Sequence, residues 1–258
     1  MKKTKLPYCT LKNIPTEISE FLIDADIYDS SSSPEARVYY IDKGVGYFLK
    51  TADKEALKTE ALMTDFFHSK KIAPRLISYV SSEKDWILTE KLSGEDATDA
   101  EYLKKPKRLV DKMAKILREL HGMNFVDCPI KDRLRDYFLL VEENFKRKKY
   151  DLSFSKYKTA EEAYRVAKSA KEILKNNCLI HGDFCLPNYI FNNWNFQGFI
   201  DLGNSGVGDR HIDIFWGIWT LNYNLKTNAY MDRFIDAYGK EKINKDALAA
   251  VSACEVFG

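Results

Sequence analysis

The residues best suited to chemistry lie in two segments of the chain, HGDFCLPN at 181–188 and GFIDLG at 198–203. They supply two carboxylates, Asp183 and Asp201, and the amide of Asn188. Phosphoryl transfer from a nucleotide needs such a set, because one carboxylate must orient and deprotonate a hydroxyl while oxygen ligands hold Mg²⁺ against the phosphates. The spacing Asp-x-x-x-x-Asn, followed by an Asp before Gly, fits this chemistry. The alternative is structural: both aspartates cap turns and the asparagine begins a strand.

A lysine and an acid earlier in the chain could serve the same reaction. Lys50 ends the apolar run at 47–49, where a lysine can reach the α and β phosphates while an acid on the following helix holds it in place. Glu60 is that acid by position. An ordinary surface ion pair is the alternative.

The elements that must position this lysine and acid can be predicted from periodicity. Aromatic and β-branched runs around a Gly-containing connection predict a hairpin over 39–51. Apolar residues at helical spacing predict a helix over 55–70, and short apolar runs predict strands over 76–80 and 86–89. The first part of the chain is therefore expected to be a sheet carrying one helix.

The second part of the chain has a different periodicity. Apolar residues at helical spacing predict helices over 109–120 and 134–145. Short strand-like runs at 178–180, 189–191 and 198–200 flank the segments that carry the carboxylates. This part is expected to be mainly helical with small strands inserted.

Composition argues against several classes of protein. The 40 Lys and Arg residues nearly balance 38 Asp and Glu, so a net charge of +2 gives no basic field for nucleic acid or a membrane, and we expect neither partner. No run of about 18 apolar residues is present, which argues against a membrane span. The five cysteines are scattered and never spaced C-x-x-C. A reducing, cytoplasmic compartment therefore fits better than a disulfide framework or a zinc site.

The two polar segments together resemble the aminoglycoside phosphotransferases, specifically the 3'-phosphotransferase (kanamycin kinase) branch, whose motif is HGDxxxxN followed by an aspartate at a strand end. Further segments resemble that family in the same order along the chain, at 85–88, 120–122, 128–129 and 209–213. The resemblance therefore covers nearly the whole chain.

The resemblance implies an α+β, two-lobed protein-kinase-like fold, with an N-terminal antiparallel sheet carrying one helix and a mainly helical C-terminal lobe. Residues 1–92 would form the nucleotide-binding lobe with the connection between the lobes, and 93–258 the catalytic and substrate-binding lobe. The implied reaction is transfer of a phosphoryl group from ATP or GTP, with Mg²⁺, to a hydroxyl of an aminoglycoside. Such a reaction would inactivate the antibiotic.

The resemblance also assigns roles to the residues already singled out. Asp183 is implied to be the catalytic carboxylate, and Asn188 and Asp201 are implied to be magnesium ligands. His181 is implied to support the backbone of the catalytic loop rather than to act as the base.

The implied nucleotide site takes in residues from the first part of the chain. Besides Lys50 and Glu60, they are Ser32, Ser33, Phe48, Thr89, Glu90 and Leu92. The serines would cover the phosphates, the last three residues would face adenine, and the phenylalanine would stack on the ring. A position in the strand core is the alternative for this phenylalanine.

The acceptor side departs from the family pattern. Sites for polycationic aminoglycosides are lined with carboxylates in this family, yet 141–175 carries ten basic and six acidic residues, a net charge of +4. No acid lies within 220–224, and Asn204 replaces a usual arginine, which removes a cation near the phosphates. The implied substrate-binding residues are Glu255, Phe257 and Gly258. Two alternatives stay open: a kinase of another small hydroxylated metabolite or antibiotic, and a nucleotide-binding module with weak catalysis.

Overall fold

A computed structural model of the chain describes residues 4–7, 11–32, 36–153 and 155–258. Its strands and helices, in chain order, are β1 (Thr4–Leu6), α1 (Thr16–Leu22), β2 (Asp26–Asp29), β3 (Arg37–Asp42), β4 (Tyr47–Asp53), α2 (Lys58–Ser69), β5 (Leu76–Ser81), β6 (Lys84–Glu90), β7 (Glu95–Asp96), α3 (Ala100–Leu103), α4 (Pro106–His121), α5 (Arg133–Lys146), α6 (Ala160–Ile173), β8 (Cys178–Ile180), β9 (Tyr189–Asn192), β10 (Asn195–Phe199), β11 (Gly206–Gly208), α7 (Arg210–Leu225), α8 (Met231–Tyr238) and α9 (Lys245–Cys254).

Contacts between residues group the chain into two compact units. Unit 1 comprises Met1–Glu95 and Ile190–Gly203, and unit 2 comprises Asp96–Tyr189 and Asn204–Gly258. The units are therefore not two consecutive pieces of the chain, because a segment from the second half belongs to unit 1.

The β9–β10 hairpin explains this grouping. Its last residue, Phe199, donates its amide N–H to the carbonyl of Ile72 at 2.8 Å. The Phe199 ring also packs edge-on against Phe67, with 6.1 Å between the ring centroids. The hairpin therefore brings Asp201, which follows it, into the same unit as Lys50.

Unit 1 is built on a six-stranded antiparallel sheet in the order β1-β2-β3-β4-β6-β5. Successive side chains of β4 point to opposite faces of this sheet. Leu49 is buried on one face with the apolar residues of α1, while Lys50 and Ala52 lie on the other face, where α2 packs. Unit 1 thus has one helix more than the sequence predicts, since the seven residues of α1 are too few to show a helical period.

Unit 2 is mainly helical, and its core joins α6 to α9. Small side chains line this contact, with Ala163 and Ala167 on α6 against Ala250 and Val251 on α9. The short antiparallel pair β8–β11 forms a separate small sheet in this unit. The predicted α+β architecture is confirmed. None of the helices in the described ranges is both long and apolar enough to cross a membrane.

Candidate active site

Lys50, Glu60 and Asp201 form one cluster in unit 1. The Nζ atom of Lys50 lies 2.7 Å from Oε2 of Glu60 and 2.8 Å from Oδ1 of Asp201. The lysine lies on β4, the glutamate lies in the first turn of α2, and the aspartate follows β10. The structure brings together the lysine and acid that the sequence predicts as a pair, and it adds the aspartate to them.

The cluster holds one cation between two carboxylates. The side chains of Lys50 and Glu60 are 19% and 12% exposed, whereas that of Asp201 is 53% exposed. Burial acts to lower the pKa of Lys50, but the charges of Glu60 and Asp201 outweigh it and raise this pKa above its ordinary value. Burial raises the pKa of Glu60 even though Lys50 opposes the shift. Lys50 is therefore a protonated, fixed donor suited to phosphate oxygens.

The backbone presents Asp201 at a sharp bend after β10. Its φ of 60° lies in the left-handed region, which Asp and Asn enter more readily than most residues. A 3₁₀ turn, Leu202–Asn204, follows directly. Oδ1 accepts from Lys50, and no hydrogen bond to Oδ2 is found among the residues that the structure describes. The second oxygen of this half-exposed carboxylate is therefore available as a ligand.

The loop that carries Asp183 begins where β8 ends. Pairing with β11 places Ile180 opposite Gly206. Gly182 has a φ of 84°, and a Cβ at this position would overlap the carbonyl oxygen of Asn204. Only glycine fits so close to another backbone, and this contact fixes the start of the Asp183 loop against Asn204.

A buried carboxylate on α7 holds the same loop. Asp213 is fully buried and accepts the amide N–H groups of His181 at 2.8 Å and Gly182 at 2.7 Å. Its Oδ2 atom also lies 3.1 Å from Nε2 of His121, whose Nδ1 lies 2.8 Å from the hydroxyl of Tyr238. Burial lowers the pKa of His121 despite the neighbouring charge of Asp213. Asp213 therefore clamps the backbone just before the predicted catalytic residue.

Asn188 lies on a 3₁₀ turn, Leu186–Asn188, in unit 2. Its Nδ2 atom donates to the carbonyl of Asp183 at 3.0 Å and to Oδ2 of the Asp183 carboxylate at 2.8 Å. These bonds orient the carboxylate. Because the amide nitrogen is committed, the amide oxygen is the atom that Asn188 can offer to a metal.

The chemistry of these donors fits Mg²⁺. Mg²⁺ takes oxygen ligands, usually one or two from protein side chains and the rest from phosphates and water. Asp201 in unit 1 and Asn188 in unit 2 each offer one such oxygen. In the described part of the chain, no group of three His, Cys, Asp or Glu side chains could hold a metal by itself. Either residue would therefore need substrate phosphates and water to complete the ligand shell of a magnesium ion.

Phe48 precedes Lys50 by two residues on β4, so the two side chains lie on the same face of the sheet. Its side chain is partly exposed, whereas Leu49 between them is fully buried. The Phe48 ring packs at a tilt against Tyr40, with 5.4 Å between the centroids. This position on the lysine's face agrees better with the predicted stacking than with a core position, and the stacking itself stays a prediction.

The residues predicted to face adenine lie along and just after β6. Thr89 pairs with Phe48 across the sheet, and Thr89, Glu90 and Leu92 are all partly exposed. The amide N–H of Glu90 donates to the carbonyl of Arg75 at 3.0 Å. A backbone hydrogen bond between Glu90 and a base would therefore have to use the Glu90 carbonyl rather than its N–H.

Ser32 lies exposed in the connection between β2 and β3, and Ser33 lies outside the described residues. The neighbouring hydroxyl of Ser31 accepts the amide N–H of Val38 at 3.0 Å. This bond anchors the start of the connection to β3. The predicted contact of Ser32 with phosphates stays a prediction.

Glu255 lies in unit 2, as does the Asp183 loop. Its Oε1 atom accepts the hydroxyl of Tyr137 at 2.7 Å. Burial raises the pKa of Glu255 to about 7, and the charge of Asp183 raises it further. Hydrogen bonds from Tyr137 and Trp216 act in the opposite direction. Glu255 is therefore an acid that changes charge near neutral pH.

The other two residues predicted to bind substrate have different environments. The Phe257 ring is fully buried and packs edge-on against Phe145 and Tyr164, with centroid distances of 5.8 and 5.9 Å. Its carbonyl accepts Nδ2 of Asn144 at 2.8 Å. The ring therefore serves the core and has no free surface for a substrate, whereas Gly258 is exposed.

Sequence reasoning missed two residues, one that holds the Asp183 loop and one that contacts Asn204 beside that loop. Asp213 appeared only within a segment that resembles the family, although an acid among Ile212, Ile214 and Phe215 on a helix is a usable signal of a buried polar role. Arg133 has no sequence signal. Its Nη2 atom donates to Oδ1 of Asn204 at 2.7 Å, a contact between residues 71 positions apart.

Comparisons with known proteins find relatives of this chain. Residues 31–251 match the model of the phosphotransferase enzyme family. The chain is 50% identical over 252 residues to a protein of Lactococcus lactis subsp. lactis (strain IL1403) named "Probable aminoglycoside 3'-phosphotransferase", covering 96% of both chains. It is 28% identical over 252 residues to the aminoglycoside 3'-phosphotransferase of Niallia circulans, covering 91% of this chain and 94% of that one.

Solved structures are similar in fold. The crystal structure of an aminoglycoside-3'-phosphotransferase of type VIII matches with a TM-score of 0.75 at 19% identity, over 95% of this chain and 100% of that one. The aminoglycoside phosphotransferase APH(3'')-Id from Streptomyces rimosus ATCC10970, in complex with ADP and streptomycin, matches with a TM-score of 0.71 at 20% identity, over 86% of this chain and 90% of that one. The predicted kinase-like fold is thereby confirmed.

Proposed function

Because the chain belongs to the aminoglycoside phosphotransferase family and is therefore a small-molecule kinase, we propose that it transfers the γ-phosphoryl group of ATP to the 3'-hydroxyl of an aminoglycoside antibiotic. The observation that carries the proposal is that the chain has both a lysine–carboxylate cluster suited to phosphates and a clamped aspartate loop suited to a hydroxyl. The names of the relatives in Lactococcus lactis and Niallia circulans support the 3' position. Phosphorylation would inactivate the antibiotic.

On the donor side, the ammonium group of Lys50 binds the α and β phosphates, and Glu60 keeps that group in place. The amide oxygen of Asn188 and the second carboxylate oxygen of Asp201 would hold Mg²⁺, which when bound offsets negative charge on the phosphate oxygens. The partly exposed Phe48 stacks on adenine.

On the acceptor side, the carboxylate of Asp183 accepts a hydrogen bond from the substrate hydroxyl and takes its proton. The hydroxyl oxygen then forms a bond to the γ-phosphorus while the bond from that phosphorus to the β–γ bridging oxygen breaks, and ADP leaves. Asn188 and Asp213 keep the Asp183 loop in one conformation, so little entropy is lost when the hydroxyl binds.

ATP is proposed as the donor because ADP is the nucleotide named in the complex of one structure of the same fold. GTP is the alternative donor. We place the reaction in the cytoplasm, where nucleotide is abundant and where the free cysteines at 128, 178, 185 and 254 stay reduced.

A second candidate is a kinase of another hydroxylated metabolite or antibiotic. The net charge of +4 over 141–175 favours it, because a basic segment repels a polycationic acceptor. The two candidates make the same use of Asp183 and differ only in the alcohol that they place beside it.

An acceptor assay tests the proposed function. We expect mass spectrometry to find one added phosphate on kanamycin after incubation with enzyme, ATP and Mg²⁺, and none on a 3'-deoxy kanamycin, because the second compound lacks the reacting oxygen. GTP in place of ATP compares the two donors. Phosphate on the 3'-deoxy compound would contradict the 3' assignment, and transfer only to other alcohols would favour the second candidate. Nucleotide binding without transfer to any alcohol would contradict both.

The pH dependence of acceptor use is expected to depend on Glu255. Since burial raises the pKa of Glu255 to about 7, this carboxyl gains its negative charge between about pH 6 and 8. A cationic amine binds the charged form better, so kcat/KM for the aminoglycoside should rise over this range. In Glu255→Gln, which mimics the protonated form, kcat/KM should be close to wild type at pH 6 and lower by roughly fivefold to tenfold at pH 8.

Steady-state kinetics at several pH values check this prediction, with Glu161→Gln as control because Glu161 is an exposed acid on α6. A parallel rise in wild type and Glu255→Gln would assign the pH dependence to another group.

A further inference from the structure

Arg133, the first residue of α5, is a mostly buried cation with an uncommon partner. Its side chain is 17% exposed, and Nη2 donates to the amide oxygen of Asn204 at 2.7 Å. A guanidinium has five N–H donors, so this bond uses only a part of its capacity. Asn204 is the one hydrogen-bond acceptor found for the guanidinium within the described ranges of the chain.

The charge of this guanidinium has one partner within ion-pair distance among the described residues, and that partner is too far away for a hydrogen bond. Asp136 is the nearest carboxylate among the described residues, and its Oδ2 atom lies 3.7 Å from Nη1 of Arg133. Burial lowers the pKa of Arg133, yet an arginine stays charged in proteins. The start of a helix is also the end where a cation is least favourable. Since Asn204 alone accepts a hydrogen bond from the guanidinium among the described residues, its other N–H groups are available to an anion.

The backbone around Arg133 leads directly to the reacting loop. The Asn204 carbonyl oxygen lies so close to Gly182 that no Cβ would fit there. A Cβ placed on Gly208 would lie 3.6 Å from Cβ of Arg133, and Gly208 pairs with Cys178 at the start of β8. The guanidinium is therefore hydrogen-bonded to Asn204, whose backbone contacts Gly182 immediately before Asp183.

We infer that Arg133 is a further catalytic residue, whose guanidinium binds oxygens of the transferring phosphoryl group and is aimed by Asn204. The inference rests on the proposed phosphoryl transfer. The equatorial oxygens of that group carry spread negative charge during transfer, and a fixed guanidinium stabilises such charge. A neutral amide suits the partner position, since it orients the guanidinium through a hydrogen bond and adds no second negative charge to that of Asp136.

Charge relocation tests the inference. Arg133→Gln is expected to lower kcat by roughly 10²-fold, while the Kd of a nonhydrolysable ATP analogue changes by less than about threefold. Adding Asn204→Arg to this variant puts a guanidinium on the former hydrogen-bond partner of Arg133 and so returns a positive charge to the same region. We then expect kcat to recover by about tenfold or more. Arg147→Gln is the control, because Arg147 follows the same helix and is 71% exposed.

A merely structural role predicts a different outcome, in which Tm falls with activity and the second substitution restores nothing. That result, or a kcat of Arg133→Gln within about threefold of wild type, overturns the inference. If Arg133→Gln does not fold, Arg133→Lys keeps the charge but lacks the planar fork. We then expect kcat to fall about tenfold with an unchanged Tm, and an unchanged kcat overturns the inference.

Hydrolysis of ATP without an acceptor separates this inference from the proposed acceptor. Water replaces the alcohol in this reaction, so the phosphoryl group still meets Arg133. If no aminoglycoside is phosphorylated but Arg133→Gln slows hydrolysis about as much as expected for transfer, the acceptor is wrong and the role of Arg133 stands. If aminoglycosides are phosphorylated equally by wild type and variant, only the role of Arg133 fails. Absence of both reactions in the wild type overturns both proposals.

Discussion

Replacing Asp183 with asparagine is expected to lower kcat by about 10²–10⁴-fold while nucleotide binding is retained. The asparagine has the same shape, and its amide oxygen can still accept the N–H of Asn188 that the carboxylate accepts at 2.8 Å. The Asp213 bonds to the backbone of the loop do not involve the Asp183 side chain. The substitution should therefore leave the loop in place and remove only the group that takes the hydroxyl proton.

Stopped assays of phosphate transfer give kcat, and titration with a nonhydrolysable ATP analogue in Mg²⁺ gives the Kd, which should stay within about threefold of wild type. Asp236→Asn is the matched control, because it removes the same charge from an exposed position on α8. Transfer by Asp183→Asn at the wild-type rate would return this residue to the structural alternative of a turn cap.

Local periodicity predicted the elements that carry the phosphate-binding pair. The aromatic and β-branched strand run and the apolar spacing in the following helix were enough to place Lys50 on β4 and Glu60 on α2. The contact between them spans only ten positions, and it follows once the helix packs on the face of the sheet that carries the lysine. Short-range patterns therefore determined this part of the candidate site.

Contacts between distant segments could not be predicted in the same way. The Lys50–Asp201 contact joins residues 151 positions apart, and it depends on the packing of the β9–β10 hairpin against Phe67 and Ile72 within unit 1. The clamp by Asp213 depends on α7 lying behind the Asp183 loop. No periodic pattern in one segment reports the arrangement of another segment.

The role of a single residue was equally hard to predict from its position in the sequence. From the sequence, Asn204 in place of the usual arginine indicated that a cation near the phosphates is lost, because only this one position was compared. In the structure, Nη2 of Arg133, at the start of α5, lies 2.7 Å from Oδ1 of that asparagine. Phe257 gives the opposite lesson, since the family resemblance implied a substrate contact but its ring fills the core.

Replacing Asp201 with asparagine is expected to weaken nucleotide binding in the presence of Mg²⁺ by roughly 10²-fold, the equivalent of about 3 kcal/mol for a lost charged ligand. Asparagine is the right substitution because it also tolerates the left-handed backbone at this position, where φ is 60°. Oδ1 of Asp201 holds Lys50 at 2.8 Å, and the variant leaves that lysine with Glu60 as its charged partner. The backbone and the lysine should thus stay in place while the negative charge disappears.

Titrations with and without the metal separate the two tasks of Asp201. With EDTA, the variant should bind the nucleotide as tightly as wild type or more tightly, because a carboxylate that repels phosphates is gone. With Mg²⁺, wild type should gain affinity and the variant should gain little. Asp65→Asn, which removes an exposed carboxylate from α2 in the same unit, should respond to Mg²⁺ as wild type does. An equal gain in Asp201→Asn and wild type would mean that Asp201 only positions Lys50, and the metal ligand would have to be sought elsewhere.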